Sequence, residues 1–90
     1  MSNQQTFVFF SDPGHAWLEV PRSLLRELGI ESKISHFSYQ KDQMVYLEED
    51  CDYAVFVRAM RQAGHEPNIT DKAGDAGYIR NYEHFQPQGV

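Results

Sequence analysis

Two strand-like segments and the turn between them read TFVFFS (residues 6–11), DPGH (12–15) and AWLEV (16–20). The first segment is aromatic and β-branched without a polar break, which is typical of a central strand covered on both faces. In the turn, Pro13 presets φ and Gly14 can supply the positive φ that a type II turn requires. Because type II turns fit the twist of a hairpin poorly, we expect a longer loop built around this turn.

The rest of the chain predicts two helices and further strands. Pro21 opens a short helix that ends before Gly29, and Asp50 or Asp52 caps a second helix that Gly64 ends. The other strands are predicted at residues 34–40, where Phe37 and Tyr39 share one face, and at 44–48, 68–70 and 78–82.

This order predicts an α+β fold with the sequence β-β-α-β-β-α-β. We expect an antiparallel sheet of four to five strands with both helices packed on one face. The triplets WLE (17–19) and YLE (46–48) occupy matching places in the two halves and hint at an internal repeat. One domain is expected over residues 6–85, with disordered tails at 1–5 and 86–90.

The charge balance limits the classes of partner. Among 90 residues, 13 are Asp or Glu and 8 are Lys or Arg, which gives a net charge of −5. That balance argues against direct binding of nucleic acid or of an anionic membrane. Cys51 is the only cysteine, so an intrachain disulfide is excluded, and the polar N-terminus lacks the features of a signal peptide. We therefore expect a cytoplasmic protein with a reduced thiol.

Catalytic and metal-binding signals are weak. The four histidines, His15, His36, His65 and His84, have no zincin spacing, and one cysteine cannot build the common zinc modules. Acidic neighbours surround Cys51 and disfavour its thiolate. No glycine-rich phosphate loop is present. We therefore expect no enzyme activity, no metal site and no cofactor.

The strongest surface signal is acidic. Between Lys41 and Arg58 the chain has no basic residue but carries five acids. The simplest interpretation is a solvated strand end followed by a helix N-terminus that favours anions. The functional interpretation is a surface that docks on a basic partner, because carboxylates steer and aromatic rings anchor. Its predicted residues are Asp42, Tyr46, Glu48, Glu49, Asp50, Asp52 and Tyr53.

A second set of residues predicts a different function. If the loop of Asp12 and His15 met arginines in one pocket, a small molecule or nucleotide could bind there, or a weak hydrolase could operate. The arginines available for this site are Arg58, Arg61 and Arg80. The simpler interpretation is that they solvate the surface and complement a helix dipole.

Three strings carry a resemblance: DPGHAWLEV (12–20), YLEEDCD (46–52) and IRNY (79–82). With them the chain resembles a family of short proteins from prophages, plasmids and other mobile elements, with alanine at position 16 where that family has glycine. The resemblance implies an accessory factor in a bacterial host cell, of the anti-CRISPR or anti-restriction type. Its partner would be a host protein or a protein–nucleic-acid complex with a basic surface. A phage structural or regulatory subunit is the remaining alternative.

Overall fold

A six-stranded sheet forms the centre of the protein in the computed structural model, which describes residues 5–87. Its strands, in spatial order, are β5, β1, β2, β4, β3 and β6. The elements along the chain are β1 (Thr6–Ser11), β2 (Ala16–Pro21), α1 (Arg22–Glu27), a 3₁₀ helix (Glu31–Lys33), β3 (Tyr39–Lys41), β4 (Met44–Glu48), α2 (Asp52–Gln62), β5 (Asn68–Ala73), a second 3₁₀ helix (Gly77–Asn81) and β6 (Glu83–His84).

The two matching triplets of the sequence pair with each other at the centre of the sheet. Strands β2 and β4 run antiparallel, and Leu18 lies opposite Leu47. Successive side chains of a strand point to opposite faces of the sheet. Leu18 and Leu47 therefore point to one face, and Trp17 and Tyr46 point to the other.

Both helices pack on the face that carries the leucines. Leu25 of α1 and Phe56 and Met60 of α2 are buried with Leu18 and Leu47 in one apolar cluster. Each helix ends on a glycine in the left-handed region: Gly29 has φ 73° and Gly64 has φ 86°. The predicted α+β class, the two helices on one face and both glycine caps are therefore confirmed.

The other face of the sheet is covered by the segment between β5 and β6. Ile79 of the second 3₁₀ helix and Ala76 before it are buried against Trp17 and Tyr46. This second cluster leaves one part of the face open beside Trp17, and the candidate site lies there.

The prediction of a purely antiparallel sheet is wrong. Strand β5 pairs in parallel with β1, from Thr6 opposite Asn68 to Ser11 opposite Ala73, so the sheet is mixed and has six strands. The segment predicted as a strand of three residues is twice as long. A parallel partner for β1 depends on long-range packing, which local sequence patterns do not report.

The predicted strand at residues 34–40 is present only from Tyr39 onward. The preceding residues follow the first 3₁₀ helix in turns, with Ile34 buried in the core. The carboxylate of Asp52 accepts hydrogen bonds from the backbone N–H of Ser35 and from the hydroxyl of Ser38. These bonds replace the ladder bonds that a strand would have made.

Three further local predictions are wrong. Neither Asp50 nor Asp52 caps α2, whose N-cap residue is Cys51 without a side-chain cap bond. Residues 78–82 form most of a 3₁₀ helix rather than a strand, because a turn buries Ile79 alone while its neighbours stay partly exposed. The turn after β1 is not type II, since Gly14 does not adopt a left-handed φ. Instead, the side chain of Asp12 accepts hydrogen bonds from the N–H groups of Gly14 and His15.

The predicted tails, 1–5 and 86–90, lie largely outside the described residues. Gln86 is described, and its backbone N–H donates to the side-chain oxygen of Gln40 at 3.0 Å. Its carbonyl oxygen accepts a bond of 3.2 Å from the guanidinium of Arg22, which is itself buried.

Candidate functional site

A cleft of about 310 Å³ opens on the sheet face opposite the helices. Three aromatic rings form much of its wall, and charged groups complete it. We call it the aromatic cleft. It is lined by His15, Trp17, Phe37, Tyr39, Glu48, Asp50, Cys51 and Arg80.

One part of the aromatic cleft is built around Trp17. The guanidinium carbon of Arg80 lies 5.3 Å from the centre of the indole ring, within cation–π range. Arg80 also pairs with the carboxylate of Asp12 at 3.4 Å, and the ring of His15 lies 5.9 Å from that of Trp17. Hydrogen bonds from the N–H groups of His15 and Gly14 hold the pKa of the Asp12 carboxyl below its usual range. The Asp12 carboxylate therefore offsets the charge of Arg80.

The acidic part of the cleft comes from the junction between β4 and α2. One carboxylate oxygen of Glu48 accepts the N–H groups of Asp50 and Cys51, both at 2.9 Å, and so organises the entry to the helix. The thiol of Cys51 also hydrogen-bonds to the Glu48 carboxylate, but within residues 5–87 no basic side chain pairs with Glu48 or Asp50. Both groups are available to a ligand.

Phe37 is the most exposed large apolar side chain among the described residues, at 56%. Its ring stacks on that of His36, with centres 4.6 Å apart, and it contributes to the wall of the aromatic cleft. An exposed aromatic ring beside unpaired carboxylates is the composition expected of a contact surface.

The loop that presents Phe37 is held in place by Asp52. This aspartate is 2% exposed, and its carboxylate accepts the N–H of Ser35 at 3.0 Å and the hydroxyls of Ser35 and Ser38 at 2.7 and 2.5 Å. The hydroxyl of Ser38 in turn accepts the N–H of Glu48 at 2.9 Å. One buried carboxylate therefore fixes the Phe37 loop and ties it to the strand that carries Glu48.

Aromatic stacking extends from the cleft toward β6. The ring of Tyr39 lies 6.3 Å from Trp17 and stacks on His84 at 4.9 Å. The ring nitrogen Nδ1 of His84 lies 2.8 Å from the carbonyl oxygen of His36. These contacts connect the cleft wall to the edge strand and to the Phe37 loop.

The thiol of Cys51 is exposed at the edge of the cleft. Desolvation, followed by the nearby carboxylate of Glu48, raises the pKa of this thiol above its usual value. A raised pKa keeps the thiol protonated near neutral pH and does not favour nucleophilic chemistry.

The acids predicted for docking lie in three different places. Glu48, Glu49 and Asp50 are exposed or half-exposed and adjoin one another, whereas Asp52 is buried and bonded internally. We call the three consecutive acids the acidic ridge. Asp42 lies apart from them, in the exposed turn at the far end of β4, about 14 Å of strand away.

The two tyrosines of that prediction also serve the fold. Tyr46 is 7% exposed and its hydroxyl donates to Glu19 at 2.9 Å. Burial, and then this bond to Glu19, raise the pKa of the phenol above its usual value. Tyr53 packs against Phe9 with ring centres 5.1 Å apart, on the helix side of the sheet.

The residues predicted for a nucleotide site are brought together only in part. Asp12, His15 and Arg80 meet at the aromatic cleft. Arg58 and Arg61 line a separate groove on α2, and Arg61 pairs with Glu66 at 2.9 Å. Two of the predicted residues, His15 and Arg80, therefore line the cleft and Asp12 pairs with Arg80, whereas Arg58 and Arg61 lie elsewhere.

Trp17 and Phe37 line the cleft but were not predicted as site residues. The alternation of residues 34–40 did place Phe37 and Tyr39 on one face, and both line the aromatic cleft although residues 34–38 are not a strand. Nothing in the sequence distinguishes an exposed Phe37 from a core phenylalanine. Across residues 5–87, no group of three His, Cys, Asp or Glu side chains is placed to hold a metal ion.

Comparisons with protein-family models, with curated proteins and with solved structures find no match to this chain. Among the described residues, no helix has both the length and the apolar character needed to cross a membrane. The geometry of the site is therefore the basis for any functional proposal.

Proposed function

We propose that this chain is a non-enzymatic protein-binding factor that docks on a basic surface of its partner. The contact surface consists of the acidic ridge, Glu48 to Asp50, together with the adjoining aromatic cleft and the exposed ring of Phe37. Carboxylates steer the encounter with a basic partner, and an aromatic ring that becomes buried supplies much of the affinity.

One observation carries this proposal. The carboxylates of Glu48 and Asp50 line the same cleft as Phe37, and neither is neutralised by a basic side chain of the described chain. Between Lys41 and Arg58 the sequence has no basic residue that could neutralise them. A surface whose only role was solubility would not need a rigidly held, exposed phenylalanine beside its acids.

The resemblance to mobile-element proteins supplies the biological context of the proposal. In that context the partner is a host protein or a protein–nucleic-acid complex, and the chain inhibits a defence system of the anti-CRISPR or anti-restriction type. The acidic ridge would cover lysines and arginines that otherwise hold nucleic acid.

A nucleotide-binding function has less support. Such a site needs a cluster of unpaired cationic groups, but Arg80 is paired with Asp12, and Arg58 and Arg61 lie in another groove. The acids of the aromatic cleft would also repel a phosphate.

The docking proposal is tested by capture from a bacterial lysate at low and high salt, followed by mass spectrometry. The test variant is Glu48→Gln with Asp50→Asn. The matched control is Glu27→Gln with Asp71→Asn, which removes the same two charges from exposed positions outside the cleft. We expect wild type and control to capture the same partner, with loss at high salt because the Debye length falls from about 10 Å at 0.1 M to about 3 Å at 1 M.

The test variant should capture this partner weakly or not at all, while its circular dichroism spectrum stays that of the wild type. Equal capture by the test variant and the control would refute docking through these acids. The inhibitory role is tested separately, by plating phage on hosts that carry a defined restriction or CRISPR system. Expression of the chain should raise plating efficiency, and the test variant should not; no effect of the wild type across these systems would refute inhibition.

A further inference from the structure

We infer that the aromatic cleft receives one arginine side chain of the partner protein. This inference rests on the proposed docking function and names the group that the cleft recognises. The guanidinium would stack on the ring of Phe37 and pair with the carboxylates of Glu48 and Asp50.

The aromatic rings of the cleft suit a planar cation. Phe37 has one ring face covered by His36, while the side chain as a whole remains 56% exposed, so an open ring surface faces the cleft and the solvent. A guanidinium stacks on such a surface through both cation–π attraction and planar contact, which a lysine ammonium does not match. The protein already contains this arrangement, since Arg80 lies over Trp17 in the same cleft.

The charges of the cleft leave room for one further cation. Glu48 and Asp50 line it, and the charge of Arg80, the one guanidinium of its wall, is offset by Asp12. The remaining charge of −2 lies on two groups whose oxygens accept no side-chain cation from residues 5–87. Arginine can satisfy two carboxylate oxygens at once through its forked donors.

The size and order of the cleft favour a single side chain over a larger ligand. Its volume of about 310 Å³ stands at the lower limit of ligand pockets. The Phe37 loop is fixed by the buried carboxylate of Asp52, and Ser38 links it to Glu48. Because these walls are held before binding, little conformational entropy is lost when the side chain enters.

The inference is tested with blocked pentapeptides that carry arginine, lysine or citrulline between glycines, and with free arginine. Binding is followed by the fluorescence and the indole N–H resonance of Trp17, which is the only tryptophan of the chain and lines the cleft. For the arginine peptide we expect a Kd of about 1 mM, so that about 10 mM peptide nearly saturates the site. The neutral citrulline peptide should bind at least about tenfold more weakly, and the lysine peptide about threefold more weakly.

Two variants locate the interaction. Glu48→Gln retains an oxygen for the N–H groups of Asp50 and Cys51 but removes the charge, and should weaken the arginine peptide about tenfold. Phe37→Ala should weaken it about threefold. Glu27→Gln and Tyr78→Ala are matched controls, since Tyr78 is also exposed but lies outside the cleft, and both should bind as the wild type does.

Four outcomes would overturn the inference: no response to the arginine peptide, equal binding of the citrulline and arginine peptides, unchanged binding by Glu48→Gln, or free arginine binding as tightly as the peptide while the captured partner does not compete. These are distinguishable from failure of the docking proposal. A flat titration together with salt-sensitive capture that the acidic variant abolishes would leave docking intact and exclude arginine from the cleft.

Discussion

Truncation of Asp52 tests the link between the buried network and the contact surface. In Asp52→Ala, the N–H of Ser35 and the hydroxyls of Ser35 and Ser38 lose their common acceptor. Ser38 is fully buried, so water cannot readily replace the carboxylate there. The Ser35 hydroxyl can turn to solvent, which leaves two donors that must remain unsatisfied or rearrange.

The expected cost follows from these two donors. A hydrogen bond to a charged group contributes about 1.5–3 kcal/mol net, so the loss of two should lower the free energy of unfolding by about 3–6 kcal/mol. A 90-residue domain has a total stability of roughly 5–13 kcal/mol. Because the middle of this range, about 9 kcal/mol, exceeds the loss, Asp52→Ala should still fold in water, but with a large part of its stability removed.

Urea unfolding followed by Trp17 fluorescence measures this cost. With a slope of about 1.5 kcal/mol per molar, the midpoint of Asp52→Ala should fall by about 2–4 M. The midpoint of Asp52→Asn should lie between those of Asp52→Ala and the wild type, because the amide oxygen of asparagine can still accept the N–H of Ser35. Asp50→Ala is the matched control two residues away; its exposed side chain should cost no more than about 0.5 kcal/mol.

The reasoning would be refuted if Asp52→Ala cost less than about 1 kcal/mol, or if Asp50→Ala cost as much as Asp52→Ala. A second measurement addresses the surface directly. If the network fixes the Phe37 loop, Asp52→Ala should also weaken the arginine peptide at urea concentrations where it remains folded. Unchanged peptide affinity in a destabilised variant would separate the network from the site.

Three further predictions concern groups outside this network. Arg22→Met should lower the free energy of unfolding by about 3 kcal/mol in urea titrations. In the wild type the Arg22 guanidinium lies 2.6 Å from the largely buried carboxylate of Glu31, which loses this partner in the variant. Burial first, and then the carboxylate of Glu19, raise the pKa of the Tyr46 phenol in the folded state. The stability that the protonated phenol contributes is therefore complete below pH 10 and is lost as the pH rises from there through the pKa of the folded state. In urea titrations above pH 10, the wild type should lose stability more steeply than Tyr46→Phe. Because desolvation and Glu48 raise the pKa of the Cys51 thiol, iodoacetamide should alkylate the native chain more slowly than the urea-unfolded chain near neutral pH, and Glu48→Gln should speed the native reaction.

Each of these predictions has a direct control. Arg26→Met removes the exposed partner of Glu31 and should cost less than about 1 kcal/mol; a cost equal to that of Arg22→Met would contradict the role of burial. Parallel stability curves of Tyr46→Phe and wild type above pH 10 would show that the phenol does not titrate as argued. Native alkylation at the unfolded rate would contradict a raised pKa of Cys51.

Much of the architecture could be predicted from local patterns. The continuous apolar run of β1, the alternation of β4 and the helical spacing of Tyr53, Phe56 and Met60 each report burial within one element. Gly29 and Gly64 end helices because their φ values of 73° and 86° are unfavourable for other residues. Signals of this kind depend only on neighbouring residues.

The errors arose where a distant residue decides the local structure. Residues 34–38 alternate like a strand. However, the carboxylate of Asp52, 17 residues later in α2, accepts the backbone N–H of Ser35, which is then not available for a strand ladder. Residues 78–82 are rich in strand-forming side chains, but Ile79 is buried alone against Trp17 and turns the segment into a 3₁₀ helix. Tertiary contacts therefore override the intrinsic preference in both segments.

The candidate site has the same dependence on distance. Counting charges identifies five acids between Lys41 and Arg58 but cannot tell Asp50, which faces solvent, from Asp52, which is buried two residues later. Likewise, Arg80 forms an ion pair with Asp12, which lies far from it in the sequence. Residue types were predictable; their exposure and their partners were not.

The pairing of β2 with β4 explains why one carboxylate of the repeated triplets is left for a ligand. In the antiparallel register, Glu19 lies opposite Tyr46 and Glu48 lies opposite Trp17. The tyrosine hydroxyl donates to Glu19 and satisfies it within the fold, whereas the place opposite Glu48 holds an indole that Arg80 already covers. The carboxylate of Glu48 accepts hydrogen bonds from Asp50 and Cys51 at the helix entry, lines the cleft, and has no cationic partner among residues 5–87. Because Tyr46 can donate a hydrogen bond to Glu19 and Trp17 makes no such bond to Glu48, Glu19 has a structural role and Glu48 can bind a cationic partner.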